Sequence, residues 1–349
     1  MIPVPRRTSV RVAIVLALLG VAIVMLYWRG PEWGLVANAF RRVEWSWIAV
    51  AILLNLLSVV ARSLAWRTVV HEALPDNPPP FGRLFSAFSI GLLANAVLPA
   101  RTGELARVAV LTRRYPRGRG YTATLLGTVF THRLFDVIPA MLLVVWVLLT
   151  AKIPHWALTS LVIAAAVGGI LLVFGLITSR LRKPVIDELS RLRRILAMAR
   201  IGLDVLRSPV GVAVAIFFQC MGWLLQLFAV WTSMKAFDIN LPLPAAGLVL
   251  VLMNIATIFP LWPGNIGLLQ AAVALPLVSY GVPYTTGFAF GLGLQMVEMS
   301  GGVGVGLIFL AREGLSLASL KTMEEQQEAD ETALVEQEAR ESERERAPA

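Results

Sequence analysis

The chain has 349 residues, of which 57% are hydrophobic and only 15% charged. Several apolar runs exceed the ~18 residues that mark a bilayer span, which argues against a soluble all-helical protein and for an all-α, polytopic membrane protein. The single cysteine, Cys220, lies in an apolar run and excludes intrachain disulfides and cysteine-rich metal sites; no cofactor is expected. The net charge is +9, but residues 321–349 hold ten acids against four bases, a net of −6 that leaves +15 on the rest. In a membrane protein such an excess speaks for topology and contact with anionic lipid, not for nucleic acid.

Taken in order, Arg6, Arg7 and Arg11 precede the apolar run Val12 to Tyr27. Ala37-Asn-Ala39 resembles a signal cleavage site but lies too far past that run, so an uncleaved signal anchor is expected. Residues 30–47 read as a short mixed link, with Trp33, Trp45 and Trp47 as interface anchors. A second span covers about Trp47 to Val70. Arg67 in its later half is placed to snorkel to the headgroups, while Arg62, deeper by about a turn and a half, suits either snorkelling or a polar interior.

After the Pro-rich turn Pro75 to Pro80, the apolar run Leu84 to Ala94 leads into Asn95-Ala-Val-Leu-Pro-Ala-Arg-Thr-Gly-Glu-Leu-Ala-Arg107. Pro99 blocks helical continuation and restricts Leu98, and Gly103 permits a sharp turn. Arg101 and Glu104 stand where a membrane helix tolerates charge only for a purpose. A basic loop, Arg113 to Arg119, follows, then the run Thr122 to Thr150. Its Arg133 and Asp136 are three apart, on one helical face, and can pair.

The run Trp156 to Thr178 returns across the bilayer. Residues 180–207 are strongly basic with leucines at helical spacing and predict an amphipathic helix on the membrane surface. The second half holds a span from about Val210 to Phe237 and an apolar run Ala245 to Phe259. That run breaks at Pro260-Leu-Trp-Pro-Gly-Asn-Ile-Gly267, and a further apolar run reaches Tyr280. The last span, about Tyr284 to Leu310, is rich in glycine, which suits tight helix packing, and carries Glu298 at its middle. Residues 313–349 form an acidic tail, expected to be cytoplasmic and disordered.

The positive-inside rule puts residues 1–11, 101–119 and 180–207 on the cytoplasmic side. This requires both interrupted segments to enter and leave by one face, from opposite sides. The expected architecture is about six full spans plus two re-entrant, broken helical hairpins in inverted repeats. The membrane domain is then residues 1–312, with halves of about 46–150 and 209–312. Inverted halves with matching interruptions point to a transport site near the midplane.

A helix that starts just past such a break aims its positive end at the bilayer interior and suits phosphate or carboxylate. The expected headgroup-binding residues are Arg62, Asn95, Arg101, Gly103, Glu104, Arg107 and Arg133 from the first half. Pro263, Gly264, Asn265 and Gly267 complete them from the second. Asp136 and Glu298 would balance charge or carry protons; the plainer reading is that these charges only hold helices together.

The pattern Asn95-x3-Pro99-x-Arg101-x-Gly103-Glu104-x2-Arg107, then Arg133-x2-Asp136, then Pro260-x2-Pro263-Gly264-x2-Gly267, resembles the flippase-like membrane domain of lysylphosphatidylglycerol synthases and its stand-alone relatives. The resemblance covers about residues 10–312 and implies a lipid-handling membrane module, in some members a flippase. The expectation is a stand-alone member, without the large soluble aminoacyl-transfer domain of the synthases. One departure is Gln270, where relatives often carry an acid.

The expected function is movement of an anionic phospholipid or lipid-linked headgroup across a bacterial-type inner (cytoplasmic) membrane, with both termini cytoplasmic. It is not expected to be an enzyme: there is no Gly-x4-Gly-Lys-Ser/Thr phosphate loop and no nucleophile–base pair, and His132 is the only histidine well inside a span. The rival readings are a membrane-embedded lipid-modifying transferase and a non-transporting scaffold for such an enzyme. The expected partners are anionic membrane lipids, with a lipid-modifying enzyme or a second copy of the chain left open.

Overall fold

The computed structural model describes residues 32–76, 78–97, 103–114, 119–180, 208–258, 265, 267–319 and 322. The expected signal anchor, Pro99 and Arg101, the basic segment 181–207, Pro260 to Gly264 and most of the acidic tail lie outside these residues. The described residues are helical throughout, joined by short turns.

Residues 30–47, read from sequence as a short mixed link, contain a helix, α1 (Trp33–Arg41). Val36 and Phe40, four apart, give it one apolar stripe: Val36 is buried and Phe40 meets Phe237 edge-on at 5.4 Å. Among the described residues, four helical stretches are long and apolar enough to cross a membrane. They are α2 (Trp45–Ala73), the bulk of α5 (Arg119–Thr150), α7 (Pro209–Ala236), and a continuous stretch made of α10 (Tyr284–Met299), a π-helical segment (Ser300–Val305) and α11 (Gly306–Arg312). α6 (His155–Arg180) is a further apolar helix. α7 starts at a well-formed cap: the Gly211 N–H donates to the Ser208 hydroxyl at 3.1 Å, with Pro209 at the first helical position.

The interrupted segments are helix pairs. The first consists of α3 (Phe81–Val97) and α4 (Gly103–Arg114), the second of α8 (Leu243–Ile258) and α9 (Leu268–Val278). At 17, 12, 16 and 11 residues, each helix falls short of the ~20 needed to span. Contacts at the helix ends define two rims. On one, Gly211 at the start of α7 lies against Glu72 near the end of α2, and the Ser86 hydroxyl donates to Glu313 at 3.2 Å. On the other, the Glu44 N–H donates to the Ala236 carbonyl at 3.0 Å, and the Lys152 N–H donates to the Tyr280 hydroxyl at 2.8 Å. The outer ends of the first pair, Leu84 and Leu111, cluster with Leu74 and Leu315 on the first rim. The second pair begins and ends by Leu241 and Tyr280 on the other. The two hairpins therefore open towards opposite rims.

Helices α2 and α7 pack together along their length at the centre. Each hairpin packs against the last span of the other half: α3 on α11 and the π-helical segment, α8 on α5. Glycine makes these approaches close, as expected where small residues form helix interfaces in lipid. A Cβ on Gly306 would lie 2.6 Å from Leu93 and 2.8 Å from the Ser89 carbonyl. Apolar side chains such as Leu142, Leu149, Ile163, Ile170 and Phe217 cover the outside. Such a surface belongs in lipid, where helices satisfy their own backbone.

Candidate functional site

The site grows from the join between α3 and α4. The Gly103 N–H donates to the Asn95 side-chain oxygen at 2.9 Å, so one of the amides that have no partner within the new helix is satisfied across the break. The two helices meet at glycines. A Cβ on Gly91 would stand 2.7 Å from the Gly103 carbonyl, and one on Gly103 would strike Gly91 and the Asn95 side chain. That contact fixes where α4 begins and turns Glu104 of its first turn and Arg107 of its second towards the centre of the protein.

The Glu104 carboxylate bridges two arginines, Arg107 one turn on and Arg133 of α5. Arg133 Nε donates to Glu104 at 2.8 Å, and its Nη1 reaches Asp136 at 3.3 Å. Asp136 is held from α7 by Gln219 Nε2 at 2.5 Å and Trp223 Nε1 at 2.6 Å. Arg62 of α2 donates to the Gln226 oxygen at 2.6 Å, and the Gln226 amide nitrogen donates to Glu298 at 3.0 Å. The arginines also lie over aromatic rings: Arg107 is 4.9 Å from Trp66 and 5.7 Å from Phe88, and Arg62 is 5.3 Å from Trp223. Stacking of this kind stabilises a guanidinium that burial has stripped of water.

These side chains surround a cavity of about 30 Å³, lined by Arg62, Phe88, Asn95, Glu104, Arg107, His132, Arg133 and Asp136 among others. It has room for roughly one or two waters. Arg107 and His132 are each only 3% exposed. Among the described residues, Arg62 Nε, Arg107 Nε and His132 Nδ1 have no hydrogen-bond partner. Three arginines face three carboxylates here, so the described charges sum to zero. Buried donors at a helix N-terminus can hold an anion once the resident carboxylate gives way.

Of the residues expected from sequence, Arg62, Asn95, Gly103, Glu104, Arg107, Arg133 and Asp136 line this one cavity. Glu298 joins it through Gln226. Arg101, Pro263 and Gly264 lie outside the described residues. Asn265 and Gly267 belong to the second hairpin and do not line the cavity. Both have left-handed backbone, with φ of 45° and 94°. Gly267 donates its N–H to the Gln270 oxygen at 2.6 Å, and Gln270 donates to Gln295 at 2.6 Å. A neutral amide pair thus joins α9 to α10, where Glu104 and Arg133 join α4 to α5. Asn254, the sequence counterpart of Asn95, bonds within its own helix to the Leu250 carbonyl at 2.8 Å.

Sequence reasoning missed Gln219, Trp223 and Gln226, although two amides in an apolar span were a usable signal. His132, which the sequence offers only as the histidine well inside a span, has its ring in the cavity wall, edge-on to Phe88 at 5.9 Å. Among the described residues, no three His, Cys, Asp or Glu side chains converge as a metal site.

No curated protein and no solved structure matches the chain. The family model described as the lysylphosphatidylglycerol synthase TM region matches residues 10–306. That stretch takes in both hairpins, every helix that builds the cavity and nearly all of the membrane part, and the chain accordingly belongs to the lysylphosphatidylglycerol synthase TM-region family.

Proposed function

We propose that this protein is a lipid translocator that moves an anionic phospholipid or lipid-linked headgroup across the cytoplasmic membrane, with both termini on the cytoplasmic side. The observation that carries this reading is the cavity itself. It sits within a bundle of apolar helices, is lined by arginines with unpartnered Nε donors, and faces the start of α4. Keeping guanidinium groups inside a membrane is costly unless they have a task there. Family membership, which places the chain among lipid-related membrane proteins, supports the same direction.

In this reading the headgroup phosphate displaces Glu104 from Arg107 and Arg133, with Arg101, two residues before Gly103 in the sequence, contributing as well. The acyl tails stay in lipid. The cavity as it stands has room for roughly one or two waters, and this reading includes a second arrangement that widens it. Hairpins that open to opposite rims and pack against each other's halves are suited to rocking that exposes the site to each side in turn.

The test is movement of a tail-labelled anionic phospholipid between leaflets of liposomes carrying the purified protein. The wild type should accelerate it, and Arg101→Ala and Arg107→Ala should each remove most of the effect. Equal rates for the wild type and both variants would sink the reading. A lipid newly missing from a deletion strain, in place of altered sidedness of existing lipids, would favour a transferase.

A further inference from the structure

Arg62, Gln226 and Glu298 come from three different helices and form a line of polar side chains leading away from the cavity. A guanidinium has donors only, so the oxygen of the Gln226 amide must face Arg62. The amide nitrogen must then face Glu298, which in this state is an acceptor. The amide is therefore polarised by Arg62 and reports to Glu298.

Glu298 also differs from the other two buried acids. Glu104 bridges Arg107 and Arg133, and Asp136 accepts from Arg133, Gln219 and Trp223. Among the described residues, Glu298 has no cation at ion-pair distance. The groups that face it are Arg62 from α2 and Gln226 from α7. Neither α9 nor the π-helical segment carries a titratable residue. On α1 the one titratable group is Arg41, and α1 meets α10 at Phe288, ten residues or about 15 Å along the helix from Glu298. A carboxylate so placed in a membrane is the one that gains most from a proton.

We propose that Glu298 is the proton-accepting group of the translocation cycle, and that Gln226 couples its protonation to the release of Arg62 into the headgroup site. This rests on the headgroup reading of the cavity given above. A proton from bulk water, entering through the cavity, adds to a Glu298 carboxylate oxygen. The new O–H donates to the Gln226 oxygen, and the amide turns over to bring that oxygen round. Its NH2 then faces Arg62, two donors oppose each other, and the guanidinium leaves for the cavity, where it meets a phosphate oxygen.

The charges agree with this sequence of events. The described charges of the site sum to zero. One anionic headgroup entering with one proton keeps that sum, with Arg101 outside the count. Leaving the site reverses both. The helix that bears Glu298 is also suited to moving. It continues directly into the π-helical Ser300–Val305, and Asn55 donates to the Val297 carbonyl at 2.9 Å just before it. Such segments are places where helices rearrange, and Gly302 within it and Gly306 just beyond meet α3 of the first hairpin.

The experiment has two readouts. In lipid nanodiscs without substrate, tryptophan fluorescence is titrated from alkaline to mildly acidic buffer, and the component missing in Trp223→Phe is assigned to the ring over which Arg62 lies. That component should change with pH in the wild type and be flat in Glu298→Gln, whose amide donates to Gln226 at every pH, and in Gln226→Leu. In liposomes, movement of a tail-labelled anionic phospholipid should rise on acidification for the wild type and stay low at every pH for Glu298→Gln, which can neither take up nor give back the proton. Far-UV circular dichroism checks that each variant is folded. A flat wild-type fluorescence titration, or a Glu298→Gln protein with wild-type pH dependence, overturns the proposal. A pH-dependent fluorescence signal that Glu298→Gln abolishes, with no lipid movement at any pH, supports the relay and overturns the translocator reading instead.

Discussion

The side-chain oxygen of Asn95 accepts the backbone N–H of Gly103 at 2.9 Å, so the last turn of α3 caps the first turn of α4. This bond ties the two helices together across the break, and it sets the register of Glu104 and Arg107. Asn95→Ala should lower stability by about 1 kcal/mol, the usual cost of losing a side-chain cap. Asn95→Asp, which keeps the acceptor, should retain more of it. Thermal denaturation in detergent, read by circular dichroism, decides this; equal melting of Ala and Asp variants would show that the bond contributes nothing.

The Glu104 bridge makes the three-residue cluster strongly unequal. Removing Glu104 leaves Arg107, whose side chain is 4% exposed, without its counter-ion, while removing Arg133 leaves the Glu104–Arg107 pair in place. Breaking a buried pair from one side costs about 3–5 kcal/mol, and exposed pairs contribute about 1 kcal/mol or less. Arg133 is about half exposed. Glu104→Ala should therefore destabilise by several times as much as Arg133→Ala. Adding Arg107→Leu to Glu104→Ala should recover part of the loss, because it removes the stranded charge. Strict additivity in that double-mutant cycle would refute the coupling.

How far the sequence could be read depended on what each residue signals locally. The interruption at Asn95 to Arg107 was legible because proline, glycine and charge have no ordinary place in a span, and Arg133 and Asp136 because of their helical spacing. The membrane class followed from run lengths alone. What could not be read were partners brought together across about 80 to 240 residues, such as Gln219 with Asp136 and Asn55 with the Val297 carbonyl. An amide in a span is polar but neutral, and silent about its partner. The helix α1 was obscured because its apolar stripe is only two turns long. Asn254 misled in the opposite sense: its type and position matched Asn95, but its side chain turns back on its own helix.

The second hairpin yields a prediction from Gln270, which is fully buried. Its oxygen takes the Gly267 N–H and its nitrogen donates to Gln295, so both ends of the amide are used. Gln270→Glu keeps the first bond but puts a carboxylate oxygen against the Gln295 oxygen and buries a charge. The expected cost is about 1–3 kcal/mol or more, the penalty for an unsatisfied buried group. Adding Gln295→Arg should restore stability by building in the second half the pair that Glu104 and Arg133 make in the first. If the double variant melts no higher than Gln270→Glu alone, the correspondence between the two pairs is wrong.

The crossing of α2 and α7 yields the last prediction. A Cβ on Gly222 would lie 2.7 Å from Arg62 Cγ, 3.4 Å from its Nε and 3.5 Å from the Ser58 carbonyl. The methyl of Gly222→Ala must therefore displace the aliphatic stem of Arg62, because the helix backbone cannot yield. Overpacking of this kind costs about 1–3 kcal/mol, but the larger effect should fall on function. The displaced guanidinium loses its place over Trp223 and its 2.6 Å bond to Gln226. Gly169 of α6 supplies the control, since a Cβ there would meet nothing within 4 Å. Gly169→Ala should be neutral or slightly stabilising, as replacing a helical glycine in open surroundings is worth about 0.5–1 kcal/mol. In the liposome assay Gly222→Ala should lose most lipid movement while Gly169→Ala keeps it. A Gly222→Ala protein that is folded and fully active would show that the position of Arg62 does not matter to the site.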